Sequence, residues 1–187
     1  MISDCICLPF YDRIFCILTT FFMLTAYQAD VRAFYYKLYP VASGCTNDCL
    51  LVLGLISTIS LPSIGYFDEH TYGNIHNVLA VLFFGSVGLY AFIISNVMSS
   101  NKDLFPQDQW AEIDRMARFK WIMMASLLAL ALSGTVGVGT WTFPFFEWVT
   151  MLLYVNYFSI LSMTNSFYDT VHEESTQLSK GVKQIQN

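Results

Sequence analysis

The sequence predicts an all-α membrane bundle of five transmembrane helices, with its N-terminus outside or lumenal and its C-terminus inside. Three observations predict it. The 187 residues are 55% hydrophobic and only 12% charged, about half the charged share usual for a soluble domain. The apolar residues fall in five runs, without the polar face that a helix in a soluble core would keep. Alternating the connections between two sides leaves Arg13 alone on one. It gathers Arg32, Lys37, Lys102, Arg115, Arg118, Lys120, Lys180 and Lys183 on the other. Basic residues resist translocation and mark the cytoplasmic side, so this division orients the chain.

The transmembrane domain is expected over residues 1–168, with spans at about 13–28, 48–64, 76–98, 117–138 and 145–165. The first, Arg13 to Gln28, is the weakest because Asp30 and Arg32 follow closely. A continuing helix would let Arg32 and Lys37 snorkel, with Tyr35, Tyr36 and Tyr39 as an interfacial belt. Pro40 through Asn47, with Ser43-Gly44, reads as a turn. The second span ends near Pro62, and the short acidic loop Phe67-Asp68-Glu69-His70 leads to the third, His76 to Met98. No cleavable signal peptide is evident, because Asp4 and Asp12 stand where a basic n-region would be.

The connection from Ser99 to about Met116 is polar, with Pro106 as a helix start. Trp110, Ile113 and Ala117 fall at helical spacing opposite Asp108, Glu112 and Arg115. That pattern predicts an interfacial helix feeding directly into the fourth span, Ala117 to Val138, the alternative being a solvated loop with a short helix. The fourth span and the fifth, Phe145 to Asn165, suit a hydrocarbon core about 30 Å thick. In the polar tail, 169–187, Val171, Ser175, Leu178, Val182 and Ile185 follow alternating steps of four and three. This is an imperfect heptad seam, read either as a partner-docking helix or as a solvated tail.

Polar residues at membrane depth are the first candidates for function, since they are costly there. Glu147 opens the fifth span on the same expected side as His76 at the start of the third. A carboxylate in a first helical turn is favoured by the dipole, so Glu147 reads as a cap or as a tie to His76. Asn156 and Asn165 read as interhelical hydrogen-bonding groups. On the fourth span Ala125, Ala129, Ser133 and Gly137 keep strict four-residue spacing, a small-residue stripe that admits a close helix.

Several chemistries find no support. Gly134, Gly137 and Gly139 lie in or beside an apolar span with no preceding strand, which argues against a phosphate loop. His70, His76 and His172 are the three histidines, too few to ligate several hemes, and no HExxH, GxSxG or Walker pattern occurs. Cys5, Cys7, Cys16, Cys45 and Cys49 lack a partnering Cys/His pair at ligand spacing and read as ordinary thiols. No catalytic residue, cofactor or metal is expected. The net charge of −5 lies mainly in loops and tail and gives little support for nucleic-acid binding.

Four segments carry a resemblance. They are Met1-Ile2-Ser3-Asp4 with Pro9 and Ile14-Phe15, Phe67 through His76, His76 leading to Tyr90, and Glu147-Trp148 leading to Tyr157-Phe158. In type, spacing and order they resemble the damage-regulated autophagy modulator (DRAM) family, with its FRAG and SFK relatives. The resemblance implies correspondence to spans two to six of a six-span family, with His76 and Glu147 as matching positions of no assigned chemistry. It also implies a role among autophagy and lysosomal regulation, GPI-anchor remodelling and phospholipid organisation. The leading expectation is a non-catalytic protein that packs against membrane lipids and other integral membrane proteins in a hetero-complex. That makes it an accessory subunit, such as one of a respiratory assembly in the mitochondrial inner membrane. The alternative is an endomembrane regulator of the family kind.

Overall fold

The computed structural model describes residues 9–67, 69–136 and 142–162. Regular structure among them is helical. Five helices are long and apolar enough to cross a membrane: Arg13–Leu38, Gly44–Tyr66, Thr71–Ser100, Gln107–Gly134 and Thr142–Ser162.

The first rod is built from α1 (Pro9–Phe22), a π-helical turn (Met23–Tyr27) and α2 (Gln28–Leu38). It runs ten residues past the Gln28 boundary expected from the sequence. Asp30 and Arg32 do not end it, because Asp30 is half-buried and Arg32 points outward. Between them Val31, then Phe34 and Leu38, keep the helix packed inward. In the π turn the Gln28 N–H reaches Met23 O, five residues back. Such a turn widens the helix by one residue and advances the phase of everything after it.

Next comes α3 (Gly44–Tyr66), which starts earlier than Asp48 because Ser43 caps it. The Ser43 backbone is extended and its Oγ accepts the Thr46 N–H at 3.3 Å, satisfying one of the free donors of the first turn. Pro62 lies inside α3, near its end. It lacks an N–H for the fourth carbonyl back, that of Thr58, a loss that packed membrane helices tolerate.

The longest helix is α4 (Glu69–Ser100), bent at Tyr72, whose φ/ψ of −127°/37° leaves the helical region. Two 3₁₀ turns, Lys102–Leu104 and Gln107–Gln109, lead into α5 (Trp110–Val136). The helical stretch expected before the fourth span is thus continuous with it. Ile113 is buried and Asp108 and Arg115 are exposed, as the spacing predicts, whereas Trp110, Ala117 and Glu112 are all half-buried. The last helix is α6, Thr142–Ser162.

The helix ends alternate, so the described basic residues divide as the sequence implies. Arg32, Lys37, Lys102, Arg115, Arg118 and Lys120 lie toward one end of the bundle, here the basic end, and Arg13 toward the other. Inside, α3 packs on the first rod and on α4, and α4 packs on α5. The core runs through Phe34, Leu38, Val87, Tyr90, Ile94, Met98, Ile113, Met116, Tyr157 and Leu161.

Two glycines of α3 lie close against the first rod. A Cβ added at Gly54 would stand 2.6 Å from Val31 Cγ1, and one at Gly65 would stand 2.6 Å from Cys16 Sγ. Either is closer than real Cβ contacts come, so a side chain at Gly54 would have to displace Val31, and one at Gly65 would have to displace Cys16.

Candidate functional site

Two layers of interior polar groups tie helices together. In the first, the π turn presents two consecutive residues, Tyr27 and Gln28, inward together, and both are buried. Tyr27 Oη lies 2.6 Å from Ser57 Oγ, and Gln28 Nε2 donates to Thr58 Oγ1 at 2.5 Å. Ser57 and Thr58 also share the carbonyl of Gly54, at 3.0 and 2.7 Å. In hydrocarbon there is no water to replace such bonds, so each pair fixes both azimuth and depth of the two helices.

The second layer joins α4 to α6. Tyr154 donates to Phe84 O at 2.6 Å. One turn on, Tyr157 Oη lies 2.7 Å from Ser95 Oγ and donates to Ala91 O at 3.0 Å. Phe158 connects the layers. Its ring stands edge-on to Tyr27 at 5.0 Å and tilted against Tyr90 at 6.4 Å. Such ring pairs add direction to the apolar packing around them.

Cations at the basic end are held inside the protein more than the sequence suggests. Lys37 is 4% exposed, with Nζ 3.5 Å from Gln109 Oε1 and 5.4 and 5.7 Å from the Phe34 and Phe105 ring centres. Lys120 is 7% exposed, hydrogen-bonds Asn96 Oδ1, and lies over the Phe92 and Trp121 rings at 5.5 and 5.6 Å. Aromatic faces offer a desolvated ammonium partial compensation for lost water. Lys102 pairs with Asp114 at 2.6 Å and Arg115 with Glu112 at 3.2 Å. These contacts lock the 101–109 connection and the start of α5 onto α2 and α4.

The sequence candidates fall in different places. His76 is buried, and its Nδ1 lies 2.8 Å from Phe67 O, which closes the turn at the bend of α4. Phe67 and Tyr72 pack edge to face at 5.6 Å over the same turn. Glu147 is half-buried near the start of α6. Asn156 faces outward, and its Nδ2 donates to Leu152 O of its own helix at 2.7 Å rather than to another helix of this chain. On α5, Ala125 is exposed, Ala129 half-buried and Ser133 buried, with the Ser133 hydroxyl donating to Leu130 O at 2.8 Å. The inward line of α5 runs through Met116, Lys120, Met123, Ser126, Leu130 and Ser133, so the stripe shares Ser133 with it. Gly137, Asn165, Val171, Leu178, Val182 and Ile185 lie outside the described residues.

Sequence reasoning missed Tyr27, Gln28, Ser57, Thr58 and Tyr154, and met Tyr157 only within a resemblance. The hydroxyl-bearing positions of α3 and the Tyr-x-x-Tyr step of α6 were available as signals. The burial of Gln28 beside Tyr27 at the π turn was not. Among the described residues no group of three or more His, Cys, Asp and Glu side chains comes together in a way that would hold a metal ion.

The family model described as the Frag1/DRAM/Sfk1/Cwh43P N-terminal domain matches residues 5–167. The chain belongs to this family. The match takes in every described helix, so both tyrosine layers and the buried lysines are features of a Frag1/DRAM-type bundle in this chain. No curated protein and no solved structure significantly matches it.

Proposed function

We propose that this Frag1/DRAM-type protein is a non-catalytic integral membrane protein. It works by packing its helices against lipids and partner membrane proteins, as an endomembrane regulator of lipid organisation, GPI-anchor remodelling or autophagy. The observation that carries the reading is how two sets of interior polar groups are engaged. Tyr27, Gln28, Ser57, Thr58, Ser95, Tyr154 and Tyr157 bond helix to helix. Engaged in this way, these side chains support a packing role. Family membership supports the endomembrane setting.

A second reading, an accessory subunit of a larger complex such as a respiratory assembly, is favoured by Asn156 and Ser159. Both are exposed on α6 within its membrane-spanning stretch, each with a hydrogen bond to its own helix, Asn156 to Leu152 O and Ser159 to Val155 O. A neighbouring helix would offer such groups hydrogen-bond partners that lipid tails lack.

Two measurements separate the readings. Loss of a lipid regulator changes the distribution of lipids or the composition of GPI anchors while other membrane complexes stay intact. Loss of a subunit leaves lipids alone and lowers the abundance of the complex that co-purifies with it stoichiometrically. Normal lipids and no stoichiometric partner would contradict both.

A further inference from the structure

Cys45 and Cys49 stand in the first two turns of α3, at the basic end. Both are exposed free thiols, and a four-residue step puts them on one helix face. That face continues through Val52, half-buried Ile56 and Ile59, with Val52 53% and Ile59 66% exposed. Polar groups lie on the other side of the thiols. Ser43 caps the helix just before them, and the exposed Tyr36 and Tyr39 form an aromatic belt at the end of the preceding helix. Such belts mark the headgroup level of a bilayer. The two sulfurs therefore sit where α3 enters the apolar layer, pointing away from the bundle. Cys16 differs, since it is buried in the first rod against α3.

We propose that Cys45 and Cys49 are sites of reversible S-acylation by long-chain fatty acyl groups. Juxtamembrane cysteines are the usual acceptors of this modification. The proposal depends on the membrane placement of α3 and is independent of the functional reading above. The donor is a fatty acyl thioester of coenzyme A. The cysteine sulfur attacks its carbonyl carbon, the new carbon–sulfur bond forms as the bond to the coenzyme A sulfur breaks, and coenzyme A leaves as its thiol with the proton the cysteine gives up. One thioester replaces another, so no oxidant or reductant is required. The attached chain would descend beside Val52, Ile56 and Ile59, through lipid that the helix already faces. From Cys45 to Ile59 is fourteen residues, about 21 Å along the helix axis.

The test uses the full chain expressed in a eukaryotic host. Free thiols in its membranes are blocked with N-ethylmaleimide, thioesters are cleaved with neutral hydroxylamine, and the released thiols are tagged with maleimide-polyethylene glycol. The expected result is two hydroxylamine-dependent mass steps. Cys45→Ser and Cys49→Ser should each leave one, the double variant none, and Cys5→Ser/Cys7→Ser both. Should the double variant fail to accumulate, the two single variants carry the same reading. The proposal is overturned by no hydroxylamine-dependent step, by steps that persist in the double variant, or by steps that vanish with Cys5 and Cys7. Release by reductant in place of hydroxylamine would identify a disulfide and overturn it as well. A single step traced to one sulfur would overturn the assignment of the other.

Discussion

Tyr27 Oη lies 2.6 Å from Ser57 Oγ, and the next residue on each helix repeats the tie, Gln28 to Thr58 at 2.5 Å. Two adjacent bonds between the same two helices fix their relative rotation more firmly than either would alone. Removing the phenolic hydroxyl by Tyr27→Phe should lower stability by about 0.6 kcal/mol, the typical size of an interhelical hydrogen bond in a membrane. Tyr27→Phe with Ser57→Ala should cost less than the sum of the two single changes, since they remove one shared bond. Thermal unfolding in a mild detergent measures the cycle, and strict additivity would show that the two groups do not couple.

Gly54 carries a steric expectation. Its missing Cβ leaves room for Val31, which an added carbon would approach to 2.6 Å at Cγ1. Gly54→Ala should destabilise by about 1–3 kcal/mol, the usual cost of overpacking. Val31→Ala in the same chain should recover much of that loss, because the clash involves the valine methyls. A double variant no more stable than Gly54→Ala would place the strain elsewhere.

Lys120 and Asn96 give the electrostatic counterpart. Lys120 is buried ten residues into α5 beside Asn96 Oδ1. Asn96→Leu should destabilise by about 1–3 kcal/mol, because it leaves an ammonium buried without that acceptor. Adding Lys120→Met should restore stability, since replacing both members of a buried polar pair costs less than removing one. Equal stability of Asn96→Leu and the wild type would mean the lysine finds water instead.

Orientation follows from the division of basic residues. A glycosylation acceptor placed in the 101–109 connection should stay unmodified, and one placed at the turn before Tyr72 should be modified. The opposite pattern in a microsomal glycosylation assay would reverse the topology.

The membrane class, the five spans and the family were legible because they rest on long apolar runs and on the order of short motifs. The reach of the first rod was less so. Asp30 and Arg32 look like a boundary in sequence, yet the buried Val31, Phe34 and Leu38 carry the helix to Leu38. The Tyr27–Gln28 pairing was half legible: a 3.6-residue period from Cys16 and Met23 keeps Tyr27 on the buried face, whereas Gln28, about 100° further round, is buried beside it only at the π turn. The fourth span carries the evenly spaced small residues, whereas among the described glycines the tightest contacts are Gly54 and Gly65 on α3. Whether a glycine marks a close approach depends on the side chain opposite, here Val31 and Cys16, and spacing within one helix does not reveal it. Lys120 counted only as a basic residue near the membrane edge; its place between Phe92 and Trp121 comes from the packing of α4 on α5.

The most direct test of a protein that works by holding lipids and partners is native mass spectrometry of the chain released from a mild detergent. The expected spectrum shows the 21.3 kDa chain together with retained lipid, a stoichiometric partner protein, or both. A lone chain at 21.3 kDa, free of lipid and partner under conditions that keep it folded, would contradict the proposal.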